Sequence, residues 1–227
     1  KLKPSDIYAL CNQDAMLGAC QRPTAMGIDI GAMLHVVIGY KIDETRYKIV
    51  KVERVSTFEA VHDLACRFNT KVIVVDMEPE TRMARKFKED HTDLYKVLLC
   101  DYQDRLKSHE KRDEREGLLT VRRTEVCDMT NEAVIKQIIE IPRRNPEIEE
   151  YAIEMSNIDK SLDENKATGS RTYRYHNRGR PDHYFHATNY FLLACRDFLI
   201  STSYDTFGTY QEDEKRNKYD PYDKILQ

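Results

Sequence analysis

Three aspartates stand where chemistry would need them. Asp29 sits in "GIDIG", between β-branched neighbours and flanked by Gly27 and Gly31; Asp76 closes "KVIVVD"; Asp182 lies in "GRPDHYFHA". A buried strand rarely carries an unpaired carboxylate, because stripping water from the charge is costly. Asp29 alone allows three readings: a satisfied structural or turn residue, part of the phosphate loop of an actin-like ATPase, or a metal-binding acid at a nuclease sheet edge. Asp76 alone reads equally as a strand-end cap. Asp182 falls in a first helical turn, where the helix dipole favours acids in any case. Together they have the makings of a phosphodiester-cleaving centre. Such a reaction needs an activated water and a stabilised leaving oxygen, and two divalent ions roughly 3.5–4 Å apart supply both. Mg²⁺ or Mn²⁺ prefer carboxylate and water oxygens. Clustered acids repel one another, which raises at least one pKa and is relieved by an ion. Glu78 and Glu80 are alternates to Asp76, but Pro79 between them starts a helix.

His183 and His186 flank the third acid at a spacing that lets both share a helical face. They are expected near the carboxylates as supporting or metal-binding groups, or in the case of His186 as a hydrogen-bonded core residue. "RTYRYHNRGR" immediately precedes Asp182. Arg171, Arg174, Arg178 and Arg180 suit DNA phosphates, with Tyr173 and Tyr175 packing or stacking beside them. Arg122 and Arg123 on a preceding strand are further candidates. Contacts of this kind go mainly to backbone and weaken steeply with salt.

The elements that must position these residues follow from periodicity. "MGIDIG", "MLHVVIGYKI" and the alternating "RYKIVKVERV" read as three antiparallel strands. "STFEAVHDLACRF" has a capping pattern and an apolar stripe, so a helix follows. "KVIVVD" is a continuous apolar run, the mark of a strand covered on both faces. "PETRMARKFKED" reads as a helix with Pro79 at its first position, "DLYKVLLCDY" and "LLTVRRT" as strands, "TEVCDMTNEAVIKQIIE" and "EIEEYAIEMSNIDK" as helices. "QDRLKSHEKRDEREG" is a solvated helix or a mobile excursion, and "SLDENKATGS" a loop. "RTYRYHNRG" is a basic strand, and "PDHYFHATNYFLLACRDFLI" a strong final helix. The expected architecture is α/β: a mixed central sheet, three antiparallel strands and then parallel ones, with helices on both faces.

The bulk composition agrees. The chain has 227 residues, 41% hydrophobic and 33% charged, and a formal net charge of -3. No apolar run reaches the ~20 residues a bilayer span requires, and no phosphate loop of the G-x-x-x-x-G-K-[ST] kind occurs. With that net charge, any basic nucleic-acid surface must be local. Six cysteines at 11, 20, 66, 100, 127 and 195 form no C-x-x-C pair, so a zinc ribbon is not expected.

The combination resembles the nuclease domain of the large terminase subunit of tailed bacteriophages, an RNase H-like nuclease. "GIDIG" is similar to that family's first acidic strand, "TVRRTEVCDMTNEAVIKQIIEIP" to the strand and helix after its second acid, and "GRPDHYFHATNYFLLA" to its closing helix. The resemblance spans about Met26 to Ile200. It implies that Asp29, Asp76 and Asp182 hold two Mg²⁺ or Mn²⁺ ions and cleave double-stranded viral DNA during genome packaging. His186 stands where the family has a later acid. The resemblance further implies residues 1–25 as a remnant leading out of an absent ATPase domain, 26–202 as the nuclease domain, and 203–227 as a tail. It places a hairpin beside the site at "RLKSHEKRDER". The implied partners are DNA, the ATPase domain, the portal and the small terminase subunit, with no membrane involved, in the host cytoplasm. A catalytically silent DNA- or partner-binding module, a junction resolvase and a transposase are the alternatives.

Overall fold

A computed structural model describes residues 1–104, 106–164, 169 and 171–198. Its centre is one eight-stranded sheet in the order β6-β7-β5-β4-β1-β2-β3-β8. Strands β1 (Thr24–Ile30), β2 (Leu34–Lys41) and β3 (Tyr47–Val55) run antiparallel as a meander. On the other side of β1, β4 (Thr70–Asp76), β5 (Lys96–Tyr102) and β7 (Leu118–Val121) are added in parallel. The expected mixed sheet is therefore present, and its central strand is the one carrying Asp29.

Two cores cover the two faces. Alternate residues of β1 divide between them: Met26, Ile28 and Ile30 face α2 (Phe58–Arg67) and α3 (Thr81–Asp90), while Ala25 faces the opposite side. That opposite side carries α1 (Pro4–Tyr8), α4 (Arg123–Ile135), α5 (Pro146–Ser156) and a last helix, α6, over residues 183–198. Every residue of β1 is buried, which is why its sequence shows no polar alternation. Gly27 explains how α6 comes so close. A Cβ there would meet Phe191 N at 2.1 Å and the Ala187 carbonyl at 2.2 Å, so strand and helix touch backbone to backbone. Gly31 plays a similar part against the His183 ring, where a Cβ would fall 2.7 Å from Cε1. The glycines around Asp29 are thus clearance for a helix, with the acid between them. Helix α2 is capped by Thr57, whose side chain accepts from Ala60 N at 3.2 Å.

Several segments differ from expectation. Helix α3 starts at Thr81, two residues after Pro79. The charged excursion after β5 contains strand β6 (Glu110–Asp113), which pairs antiparallel with β7 at the sheet edge. Long-range partners fix it: Arg112 reaches Asp197 and Glu110 reaches Arg196, both on α6. Part of the expected loop "SLDENKATGS" is strand β9 (Asp159–Glu164), which pairs with β10 (Arg171–His176) in a separate two-stranded hairpin. This hairpin, and not the β6 segment, leads directly into Asp182. "IE" within "IEIPRRNP" is a short strand, β8 (Ile139–Glu140), parallel to β3. Leu2, Ile7 and Leu10, within the expected lead-in, are buried in the α6-side core, and Cys11 bridges to Ile141. The expected tail, 203–227, lies outside the described residues. All six cysteines are free thiols, with Cys100, Cys127 and Cys195 buried. No described helix is long and apolar enough to cross a membrane.

Candidate active site

The site grows out of strand register. On β1, Asp29 pairs with His35 of β2. In the parallel β1–β4 ladder, Ile28 pairs with Val75, so the next residues on both strands are Asp29 and Asp76. Asp76 in turn pairs with Cys100 of β5. The result is one row across four strands, His35-Asp29-Asp76-Cys100, on the face that α6 covers. Asp29 and Asp76 share this face because each follows the inward residues of its strand by two, Ala25 and Gly27 in one case, Val72 and Val74 in the other.

Their proximity has an electrostatic signature. Burial, and then the Asp29 charge, push the Asp76 carboxyl up to about 7. The Glu78 amide offsets this in part by donating to Oδ1 at 3.2 Å, with smaller help from His186 and the Tyr190 hydroxyl. Glu78 and Glu80 are themselves exposed. Asp29 is 5% exposed and bonds through Oδ2 to His183 Nδ1 at 2.8 Å. That contact raises the His183 pKa above its ordinary value. His35 stacks flat on His183, centroids 4.6 Å apart, with Nε2 3.8 Å from Glu154 Oε1. Burial and the His183 charge lower His35 to about 4, so it is neutral near pH 7.

Asp182 lies at the start of α6, and its carbonyl accepts from Phe185 N and His186 N. Asn177 donates to its Oδ1 at 2.9 Å. Its Oδ2 is buried and makes no hydrogen bond, although His186 Nε2 stands 3.3 Å away. Burial pushes this carboxyl upward, but His186, Asn177 and Arg123 outweigh it and hold it below the usual range. His186 contacts Arg123 Nη2 at 3.3 Å and Tyr102 Oη at 3.4 Å. The two histidines therefore serve different acids: His183 holds Asp29, and His186 stands between Asp182 and Arg123, close enough to Asp76 to offset its charge.

Helix α5 fixes the start of α6. Glu154 accepts from Tyr184 N at 2.9 Å, and Asn157 donates to the Pro181 carbonyl at 2.7 Å. His35, Glu154 and Asn177 had no part in the sequence reading. His35 was recoverable, since a tight turn centred on Gly31–Met33 sets it opposite Asp29. Glu154 and Asn177 carry no local signal, because tertiary packing alone brings them here.

The arginines separate. Arg123 is half-buried at the site and donates to the Tyr175 carbonyl at 2.8 Å. Arg171 and Arg174 are exposed on β10, near Glu164 at 3.7 Å and Asp104 at 3.8 Å. Arg178 lies exposed in the turn after β10. Arg180 is engaged with the Asn157 carbonyl at 3.1 Å and with Asp159 at 3.7 Å. Arg122 has each of its three nitrogens engaged, by Glu125 and the carbonyls of Leu106 and Lys107.

A divalent cation suits this chemistry: Asp29 and Asp76 are adjacent buried carboxylates that repel each other. Among the described residues, no three His, Cys, Asp or Glu side chains gather closely enough to enclose an ion. Any ion here would complete its shell with water or substrate oxygens, as Mg²⁺ commonly does.

No protein-family profile matches the chain, and no curated protein matches it by sequence. Solved structures do match in fold. The nuclease domain of the large terminase subunit gp2 of bacterial virus Sf6 superposes with a TM-score of 0.53 at 10% identity, covering 83% of this chain and 96% of that one. A mutant of the same domain, recorded with manganese, gives 0.52 at 10% identity over the same shares. The yeast mitochondrial Holliday junction resolvase Ydc2 aligns at 10% identity with a TM-score of 0.33 over 82% of this chain and 81% of that one, too low to bear on the reading. The chain thus shares the fold of the terminase nuclease domain, a mixed central sheet with helices on both faces.

Proposed function

We propose that the chain is a nuclease that hydrolyses the backbone of double-stranded DNA, and that it serves as the cutting domain of a viral genome-packaging machine. One observation carries this reading: Asp29 and Asp76 abut on adjacent central strands, and the repulsion between them helps lift Asp76 to about 7. A fold without a use for paired acids would have little reason to keep them buried together. The likeness to a terminase nuclease domain supports the choice of substrate and the packaging role.

Asp29 and Asp76, with Asp182 as the third acid, are the proposed metal ligands. Mg²⁺ or Mn²⁺ bound there would acidify a water and neutralise charge developing on the leaving oxygen. The chain's own residues do the rest. His183 orients Asp29 through its 2.8 Å bond. Asn177 holds one oxygen of Asp182, and His186 stands 3.3 Å from the other. Arg123, Arg171, Arg174 and Arg178 supply positive charge along the DNA path, whereas Arg180 serves mainly to tie the hairpin turn to α5. In this role the partners would be DNA, an ATPase domain, the portal and a small terminase subunit, in the host cytoplasm.

The test is plasmid nicking with Mn²⁺, with Mg²⁺ and with EDTA, beside Asp29→Asn, Asp76→Asn and Asp182→Asn. Cutting that needs the metal and each acid is the expected result. A folded wild type that binds DNA but never cuts it would make this a silent binding module. Cleavage of four-way junctions in preference to linear duplex would make it a resolvase.

A further inference from the structure

We infer that the base of the β9–β10 hairpin holds a dedicated site for one backbone phosphate, distinct from the scissile one, which sets the register of the DNA over the carboxylates. The inference rests on the nuclease reading. A cavity of about 460 Å³ opens there, lined by Arg123, Ser161, Tyr175, His176, Asn177 and Arg178. Two guanidiniums, an imidazole, an amide and a serine hydroxyl belong to its lining and no carboxylate does, while the Tyr175 hydroxyl donates to Asp128 at 2.7 Å. Donors without acceptors of charge are what a phosphodiester requires. Two acids of the hairpin are engaged already, Asp163 with His176 Nε2 at 3.1 Å and Asp159 with Lys1 at 2.7 Å. The larger cavity at the far end of the sheet has the opposite character. Its lysines, Lys71, Lys88 and Lys96, are interleaved with Asp93 and Glu114.

The turn is built to present Arg178. Arg178 and Gly179 are both left-handed, at φ 54° and 76°. A non-glycine residue adopts this conformation only when its surroundings impose it. Asn177 imposes it: its Oδ1 accepts from Gly179 N at 3.1 Å, and its carbonyl accepts from Arg180 N at 3.1 Å. The same Asn177 side chain donates to Asp182 Oδ1 at 2.9 Å. On the opposite wall, Arg123 spans from the cavity to His186, the neighbour of Asp182. Asn177 therefore connects the cavity directly to the third acid, and Arg123 connects it through His186. A phosphate seated between Arg123 and Arg178 would fix which phosphodiester of that strand lies at Asp29 and Asp76.

The experiment is binding of a short duplex by fluorescence anisotropy in EDTA, so that no cutting occurs, across a range of salt. Arg178→Ala is compared with Arg85→Ala, an equal charge loss on α3 beyond the sheet. A single neutral methylphosphonate is then moved stepwise along one strand. Arg178→Ala is expected to weaken binding about fivefold and to reduce the salt slope by about 1, with Arg85→Ala near wild type. One methylphosphonate position should reproduce that loss and add nothing further in Arg178→Ala. Equal effects of the two variants, or a loss spread evenly over all methylphosphonate positions, would overturn the phosphate site while leaving the nuclease reading to its own cleavage assay. Wild type that fails to bind duplex at low salt would overturn both.

Discussion

Gly27 on the central strand and Phe191 on the last helix are in backbone contact, with a missing Cβ as the only clearance between them. The first prediction follows. Gly27→Ala forces strand and helix apart, and both are backbone, so neither yields cheaply. A loss of about 3 kcal/mol or more is expected, beyond ordinary overpacking. Urea denaturation measures it. Gly31→Ala meets the His183 ring instead, a side chain that can turn away, so its stability cost should be smaller and its loss of cleavage larger.

Stability against pH should show two opposed titrations. Asp76 has a folded pKa raised to about 7. Between its unfolded value near 4 and about 7 the folded state therefore binds the extra proton, and stability falls as pH rises. His35, lowered to about 4, does the reverse: below its unfolded value near 6.5 the unfolded chain takes the proton, so its contribution is lost as pH falls toward 4. The two largely cancel below about 6.5. Asp76→Asn should leave the His35 limb alone, so stability rises from pH 4 to 6.5. It should also be more stable than wild type at pH 8 by on the order of 2 kcal/mol. Thermal melts across pH decide this, and a variant less stable than wild type at pH 8 would contradict the repulsion.

Metal should act in the opposite sense to that repulsion. Millimolar Mn²⁺ or Mg²⁺ at pH 7.5 is expected to raise the melting temperature of wild type, by mass action on a site that only the folded chain possesses. Asp29→Asn and Asp76→Asn should lose the increase. This readout needs no DNA and no catalysis.

Glu154 tests how the start of α6 is held. Glu154→Ala removes the acceptor of the Tyr184 amide and the acid facing His35. A stability loss of about 1–2 kcal/mol is expected from the lost cap. Cleavage should fall more than stability implies, because Asp182 and His183 move with the helix. Retained cleavage in a destabilised protein would restrict Glu154 to a structural role.

The inner strands of the central sheet were legible because each announces itself locally. β3 alternates, β4 is uniformly apolar, and the turn at Gly31 pairs β1 with β2. Asp29 and Asp76 were legible for the same reason, as acids at the ends of apolar runs. The hairpin was not. Strand β9 is polar except for an exposed Leu162, and its order comes from pairing with β10 and from contacts such as Lys160 with Asp128. Strand β6 was hidden likewise, since the side chains that order it answer to residues on α6 some 85 positions away, as Arg112 does to Asp197. Local pattern reports what a segment buries, and these two strands bury little of their own. The same limit hid Glu154, a buried acid whose partners arrive from β2 and α6.

The strands that end the sheet have a consequence for how this chain meets its neighbours. One border is the four-residue Glu110–Asp113, whose side chains are all charged; the other is the two-residue Ile139–Glu140. Neither offers the long, flat row of unpaired amides and carbonyls along which a foreign strand could zip. At the β6 border that discourages growth by strand addition, in correct assembly and in aggregation alike; at the other border β8 covers only Tyr47 and Lys48 of β3, and the Val50 carbonyl is met by the Leu17 amide. A complex formed at the β6 border must therefore be written in side chains.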